Sequence, residues 1–184
     1  MQVARASPNC VATTGASRRR QAWLTAALAL LLCANPQVVR AAADCSITAV
    51  SVNFGVYDPV ATAADDSTGT VTVTCRIVSK SAERVNYTVT LSNGLNASTP
   101  AARQMASGTR RLGYNVFTDP ARTQVWGSGS GGTVIASGAM TVGPGVGNGN
   151  GTLSVTHTLY GRIPQLQDAV PGSYADTLLL TLTY

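Results

Sequence analysis

The chain has 184 residues, thirteen of them basic and eight acidic, for a formal charge of +5 at pH 7. Five of the basic residues (Arg5, Arg18, Arg19, Arg20, Arg40) precede Asp44 and none of the acidic ones do, so residues 44–184 carry eight of each and are neutral. The basic balance therefore belongs to the N-terminal segment and is no argument for binding nucleic acid or a membrane surface.

Residues 1–43 read as a secretory signal peptide: Arg18-Arg19-Arg20, an apolar run over residues 22–34, then Ala41-Ala42-Ala43. The apolar run is shorter than the ~20 residues of a membrane span, which favours a cleaved signal over an anchor. Cleavage after Ala43 leaves residues 44–184, one domain's worth of chain. Cys10 and Cys33 leave with the signal. Cys45 and Cys75 remain, an even pair in an exported protein, and are expected to form a disulfide.

Residues 46–54 alternate loosely and predict a first strand, which the segment from Gly55 to Pro59 turns. Residues 61–69 are small and polar and predict a loop containing Asp65-Asp66. Residues 70–75 alternate strictly, with Val71, Val73 and Cys75 on the inward phase. Residues 76–85 carry both signs of charge and predict an exposed connection. Residues 86–92 predict a strand with Tyr87, Val89 and Leu91 inward, ended by the turn signal Asn93-Gly94. A polar stretch over residues 96–111 precedes a strand at 112–118 and the short apolar pair Val125-Trp126. Glycine-rich runs at 127–132 and 143–151 bracket a weak strand at 133–141. Neither run has the ending of a phosphate-binding loop, and both read as loops or hairpins. Residues 153–160 alternate cleanly, and Gly161-Arg162-Ile163-Pro164 is expected to end that strand.

The last strand is the most telling. Leu178, Leu180, Leu182 and Tyr184 fall on one face, with mostly threonine between them. No turn or further strand follows to cover its far edge, and neither charge nor proline blunts it. An open edge with an apolar face is a template for pairing, so another chain is expected to complete this sheet. Six or seven strands at this spacing, without an amphipathic helix, predict an all-β antiparallel sandwich.

Residues that could carry chemistry are sparse. His157 is the chain's one histidine and lies on the apolar phase of a strand, where packing or hydrogen bonding is the expected role. Asp65-Asp66 lacks the spaced oxygens of a calcium site. Asp58, Asp119, Asp168 and Asp176 sit beside turns or strand ends, where carboxylates cap backbone groups. Asn86 and Asn96 begin glycosylation sequons, which matter only in a eukaryotic secretory route. No catalytic site, metal or cofactor is expected.

The ordered landmarks are Cys45, Phe54-Gly55-x-Tyr57-Asp58-Pro59, Val71-x-Val73-x-Cys75, Tyr87-x-Val89-x-Leu91-Ser92-x-Gly94, Arg103-x-Met105, Leu112-x-Tyr114-x-x-Phe117-x-Asp119, Trp126-Gly127, Tyr160-Gly161-Arg162-Ile163-Pro164 and Gly172-x-Tyr174-x-Asp176. In that order they resemble the spore coat protein U domain family, which includes subunits of archaic chaperone–usher pili. The resemblance covers essentially all of residues 44–184. It implies an incomplete immunoglobulin-like β-sandwich lacking its last strand. A periplasmic chaperone, and then a neighbouring pilin subunit, would lend that strand during assembly through an outer-membrane usher. By this resemblance Leu178, Leu180, Leu182 and Tyr184 line or border the acceptor groove, over a core that includes Val71, Val73, Leu153 and Val155. The implied role is structural and adhesive, with export through the periplasm to the cell surface and no nucleic-acid partner. One departure stands out: residues 35–44 contain Pro36 and Arg40 and alternate poorly, so the chain is expected to accept a strand but not to donate one, as a tip or minor subunit. Alternatives are a secreted spore-coat or matrix protein of the same fold and a self-contained secreted binding module.

Overall fold

The computed structural model describes residues 43–147 and 150–184. Apart from Ala43, the expected signal segment lies outside the described residues. Nine strands and one 3₁₀ turn, Pro100–Ala102, make up the regular structure among the described residues. They are β1 (Ala43–Val50), β2 (Asp65–Ile77), β3 (Glu83–Leu91), β4 (Gln104–Ser107), β5 (Arg110–Gly113), β6 (Asn115–Phe117), β7 (Ala136–Val142), β8 (Thr152–Ile163) and β9 (Leu180–Thr183).

Two antiparallel sheets form a sandwich. One has the order β1-β2-β8-β6, the other β7-β3-β9, and β4-β5 is a separate hairpin. Strict alternation decides which side chains meet between the sheets. From β2 come Val71, Val73 and Cys75, and from β3 come Val85, Tyr87, Val89 and Leu91, all buried. Met140 and Val142 of β7, Leu159 and Ile163 of β8 and the fully buried Trp126 complete this core. Leu153 and Val155 pack against it from a half-buried position. On the opposite face of the first sheet, threonine and serine stand in register across strands: Thr72 pairs with Thr156 and Thr74 with Ser154 by hydroxyl hydrogen bonds of 3.0 and 2.7 Å. β-branched residues suit this pleated outer surface, and the hydroxyls satisfy one another.

Cys45 and Cys75 are directly opposed in the β1–β2 ladder and are joined by a disulfide, with Cα atoms 4.1 Å apart. The bridge ties the edge strand β1 to the interior strand β2. Ala43 is the first residue of β1, is buried, and pairs with Ile77.

Several expected boundaries move. The segment before Thr70 is not a loop: β2 starts at Asp65, because Asp65 and Asp66 pair across to Ile163 and Arg162 of a β8 that runs past Gly161. Asp66 accepts both Arg162 nitrogens at 2.7 and 2.8 Å, and Arg122 approaches it at 3.2 Å. The hydrogen bond from Arg162 holds the Asp66 carboxyl below its ordinary value. Tertiary pairing thus overrides the polar composition. The first strand stops at Val50. Beyond it the inward phase shifts from Cys45 and Ile47 to Val52 and Phe54, where the backbone crosses Gly69 so closely that a Cβ there would strike Val50 and Ser51. The polar stretch before Leu112 hides the hairpin β4–β5, joined by the two residues Gly108-Thr109, with Gly108 at φ 59°.

His157 lies between the sheets. Its Nε2 and the Tyr87 hydroxyl share a hydrogen bond of 2.9 Å, and the Trp126 ring meets its edge. Burial pulls the imidazole below its usual pKa. The folded state therefore resists its protonation, and this contribution is intact above the unfolded value of about 6.5. Stability should fall as the pH drops below that value and level off once the folded pKa is passed. Melting temperatures between pH 7.5 and 4 should show this component, and His157→Gln should remove it. Replacing both Cys45 and Cys75 with serine should cost roughly 3–4 kcal/mol for a loop of this length, measured by urea denaturation under non-reducing conditions.

Candidate functional site

The segment leading into β9 is positioned by backbone groups first. Ser92, just past β3, donates its N–H to the Leu179 carbonyl at 3.0 Å, and its hydroxyl accepts from the Leu179 N–H at 2.9 Å. From there β9 pairs only with β3, Leu180 opposite Leu91 and Leu182 opposite Val89. Its other edge has no strand partner among the described residues, and neither does the outer edge of β1. Leu178, Leu180 and Leu182 turn toward the core, while Leu179, Thr181 and Thr183 face solvent. The three inward leucines are only half-buried, as are Ile47, Val52 and Phe54 on the β1 side.

Between these two rows lies an apolar cleft of about 280 Å³, lined by Leu178, Leu180, Phe54, Leu91, Tyr114 and Leu159 among others. Of the four residues singled out from the alternation, Leu178 and Leu180 line this cleft. Leu182 packs against the core without reaching it. Tyr184 is 53 % exposed and borders a separate shallow depression with Tyr87 and Gly138. The sequence pattern missed the cleft's other wall. Phe54 is admitted because Gly161 has no side chain; a Cβ there would strike Val52 and Phe54.

Asp176 lines the cleft, and the buried Arg103 braces it through Ser92. Asp176 accepts the Leu95 N–H, the Asn96 amide and the Thr177 N–H on Oδ1, and the Tyr114 hydroxyl at 2.8 Å on Oδ2. Burial, then the Asp176 hydrogen bond, pushes the Tyr114 phenol well above its ordinary value, so it remains a donor. Gly94, at φ 87°, leaves room for this carboxylate where any Cβ would collide with it. Arg103 is 1 % exposed. Its guanidinium donates to the carbonyls of Ser92 and Trp126 and to Asn115 Oδ1, at 2.7–3.0 Å. Through Ser92 this cation is tied to Leu179, one residue from each cleft leucine. Asp58 and Asp119 accept backbone N–H groups of the turns that follow them. Among the described residues no group of three or more His, Cys, Asp or Glu side chains could hold a metal ion. The arrangement can bind an apolar, extended segment.

Asp176→Ala leaves the Tyr114 hydroxyl and three N–H groups without their acceptor and should destabilise the fold by about 2 kcal/mol or more. Asp168→Ala, at an exposed site outside this network, should stay within about 0.5 kcal/mol. Urea denaturation of the two variants checks the contrast.

The comparisons with known proteins fit this architecture. The model of the Spore Coat Protein U domain matches residues 30–181. Protein U of Myxococcus xanthus is 31 % identical over 140 residues, covering 73 % of this chain and 72 % of that protein. Among solved structures, the crystal structure of the CsuC-CsuE chaperone-tip adhesion subunit pre-assembly complex, from archaic chaperone-usher Csu pili of Acinetobacter baumannii, contains a similar fold. The TM-score is 0.51 at 22 % identity, over 77 % of this chain, which spans 40 % of the matched chain. The antiparallel sandwich, the ordered landmarks and these matches together make the chain a member of the spore coat protein U domain family.

Proposed function

We propose that this chain is a structural and adhesive subunit of an archaic chaperone–usher surface pilus, completed by a strand donated from another chain. The observation that carries this reading is the apolar cleft between the unpaired edges of β1 and β9, with half-buried leucines on its floor. A β-strand laid there gains main-chain hydrogen bonds from the open edges and buries its alternate side chains in the cleft. Leu178, Leu180, Leu182 and Tyr184 form or border the receiving strand. The donor is a periplasmic chaperone during export and a neighbouring pilin in the fibre, with an outer-membrane usher between the two stages. Residues 1–43 direct export and are removed after Ala43 on translocation. The match to a chaperone–subunit complex supports this choice of partners. The role is assembly rather than catalysis.

Because β1 already uses the chain from Ala43 onward, a donor segment of this subunit would have to precede it. Residues 35–42 contain Pro36 and Arg40 and alternate poorly. This supports a tip or minor position, and N-terminal sequencing of the exported protein tests it: a long alternating extension would remove the argument. The family's name favours one second reading, a secreted coat or matrix protein of the same fold.

The deciding experiment melts the exported protein alone and with a donor-strand peptide from a neighbouring pilin. At a hundredfold excess over its dissociation constant the peptide should add about 2.7 kcal/mol of stability, and Leu180→Asp should abolish the effect. A domain that melts cooperatively alone and ignores such peptides would instead be a self-contained binding module.

A further inference from the structure

The outer face of the first sheet carries a cluster that strand acceptance does not use. Tyr160 of β8 stands opposite Thr68 of β2 on one side and Phe117 of β6 on the other. The neighbouring Leu159 and Val116 are buried between the sheets, which turns Tyr160 and Phe117 outward. Both aromatic side chains are half-exposed. The row on one side of them holds Asp66, Arg162 and Asn115. On the other side come hydroxyl rows, Thr70 with Thr158 and then Thr72 with Thr156. Along β8 the face from Thr156 to Arg162 runs about 20 Å at ~3.3 Å per residue. A shallow pocket of about 340 Å³, lined by Phe117, Arg162, Asn115, Gln104 and Pro164 among others, lies at its end.

Arg122 reaches this cluster from a tight turn. Its N–H donates to the Asp119 carbonyl, and the Asp119 carboxylate accepts the N–H groups of Thr123 and Gln124. The turn holds Arg122 at φ 57°. A long side chain in the left-handed region is costly and persists only where its surroundings over-determine it. The guanidinium thereby lies over the Tyr160 ring, 5.9 Å from its centroid. Its Nε is 3.2 Å from Asp66 Oδ1, the same oxygen that takes the Arg162 Nε at 2.7 Å. Two guanidinium groups thus share one carboxylate, while the Asp119 oxygens are spent on their own turn. Arg162 Nη2 donates to Asp66 Oδ2 and Arg122 Nη1 to the Pro120 carbonyl. That leaves Arg162 Nη1 and Arg122 Nη2 without a hydrogen-bond acceptor among the described residues.

We propose that this face binds an acidic polysaccharide, taking the carboxylate of a uronic acid unit on the free nitrogens of Arg162 and Arg122 and sugar rings against Phe117 and Tyr160. The charge left over when two guanidinium groups share Asp66 is a single positive one, which a monoanionic carboxylate complements. Arginine presents planar, fixed donors that suit a carboxylate better than a point charge would. An aromatic ring offers a flat apolar surface to the C–H face of a sugar, while the sugar's hydroxyls stay free to hydrogen-bond. The threonine rows of β2 and β8 continue the site, since each hydroxyl can donate once and accept twice. The inference goes beyond the strand-acceptor reading and does not depend on it. The acceptor cleft lies between the sheets and this cluster lies outside them, so both can be occupied at once.

The test titrates the exported protein calorimetrically with three hexasaccharides: alginate, in which every unit is a uronate, hyaluronan, in which uronate alternates with an amino sugar, and neutral mannohexaose. Binding of either uronate oligomer at least tenfold tighter than mannohexaose supports the site, and the better of the two identifies the polymer it meets. That affinity should fall as salt rises from about 50 to about 500 mM, because the contact is ionic and exposed. Arg162→Lys keeps an ion pair with Asp66 but has no second nitrogen for the ligand, so it should weaken the uronate oligomer at least tenfold while the protein melts near the parent temperature. Tyr160→Leu keeps apolar volume without the ring and should do the same. Thr181→Ala, on the outer face of the other sheet, should change nothing. A donor-strand peptide should leave uronate binding unaltered, so failure of strand donation and failure of this site are read separately. Equal affinity for charged and neutral oligomers, indifference to Arg162→Lys and Tyr160→Leu, or no binding of any oligomer would overturn the proposal.

Discussion

Backbone hydrogen bonding at the edges of the two sheets is the constraint on which the rest of the structure depends. A strand with an unpaired edge invites another chain, and here two such edges, on β1 and β9, flank the same cleft. β6 and β7 are the other edge strands of the two sheets, and no cleft lies between them among the described residues. Trp126 seals the far side with its indole N–H on the Val89 carbonyl, and the glycine loop after it is tied by Thr133. The half-burial of Leu178 and Leu180 follows from the same fact: they face the core along a cleft that no strand fills. Closing the cleft would bury apolar surface, which contributes roughly 25 cal/mol for each Å² removed from water.

Holding an open cleft in one shape takes structure around it, and the polar residues of the site supply that. Arg103 reaches from the start of the β4–β5 hairpin to Ser92 and Trp126, and Ser92 then fixes Leu179. Asp176 gathers the turn after β3 and the Tyr114 hydroxyl. Both charges are satisfied by hydrogen bonds, and a buried charge is tolerated on those terms. They are scaffolding, which accounts for the buried arginine and the raised phenol. The disulfide serves the same end from the other wall, since β1 is an edge strand paired on one side only.

Asp66 and His157 are likewise paired, whereas Asp65 keeps a buried Oδ2 without a hydrogen-bond partner among the described residues. Asp66 is neutralised by Arg162 and Arg122. Asp65, its neighbour on the inward phase, is raised by burial and by the Asp66 charge. His157 is occupied by Tyr87. In each case a group that resembles a catalytic candidate in one dimension is, in three, part of the packing.

Much of the architecture was legible in the residues because strand alternation is a local signal. Val71, Val73 and Cys75, then Tyr87, Val89 and Leu91, announce their inward faces within six residues of chain, and the structure buries all of them. The apolar face of Leu178, Leu180 and Leu182 was readable in the same way. Other features were not local. Asp65 and Asp66 are polar in sequence and became strand only because β8 lies beside them. The β4–β5 hairpin is too short and too charged to show a period. Phe54, Met105 and Tyr174 are far apart in the chain, and only the meeting of two loops with the hairpin turns them into the wall of a cleft. Alternation by itself determined which faces are apolar. Which edges remain open, and what stands across from them, was decided by tertiary structure, because edge pairing is a relation between segments and no single segment encodes its partner.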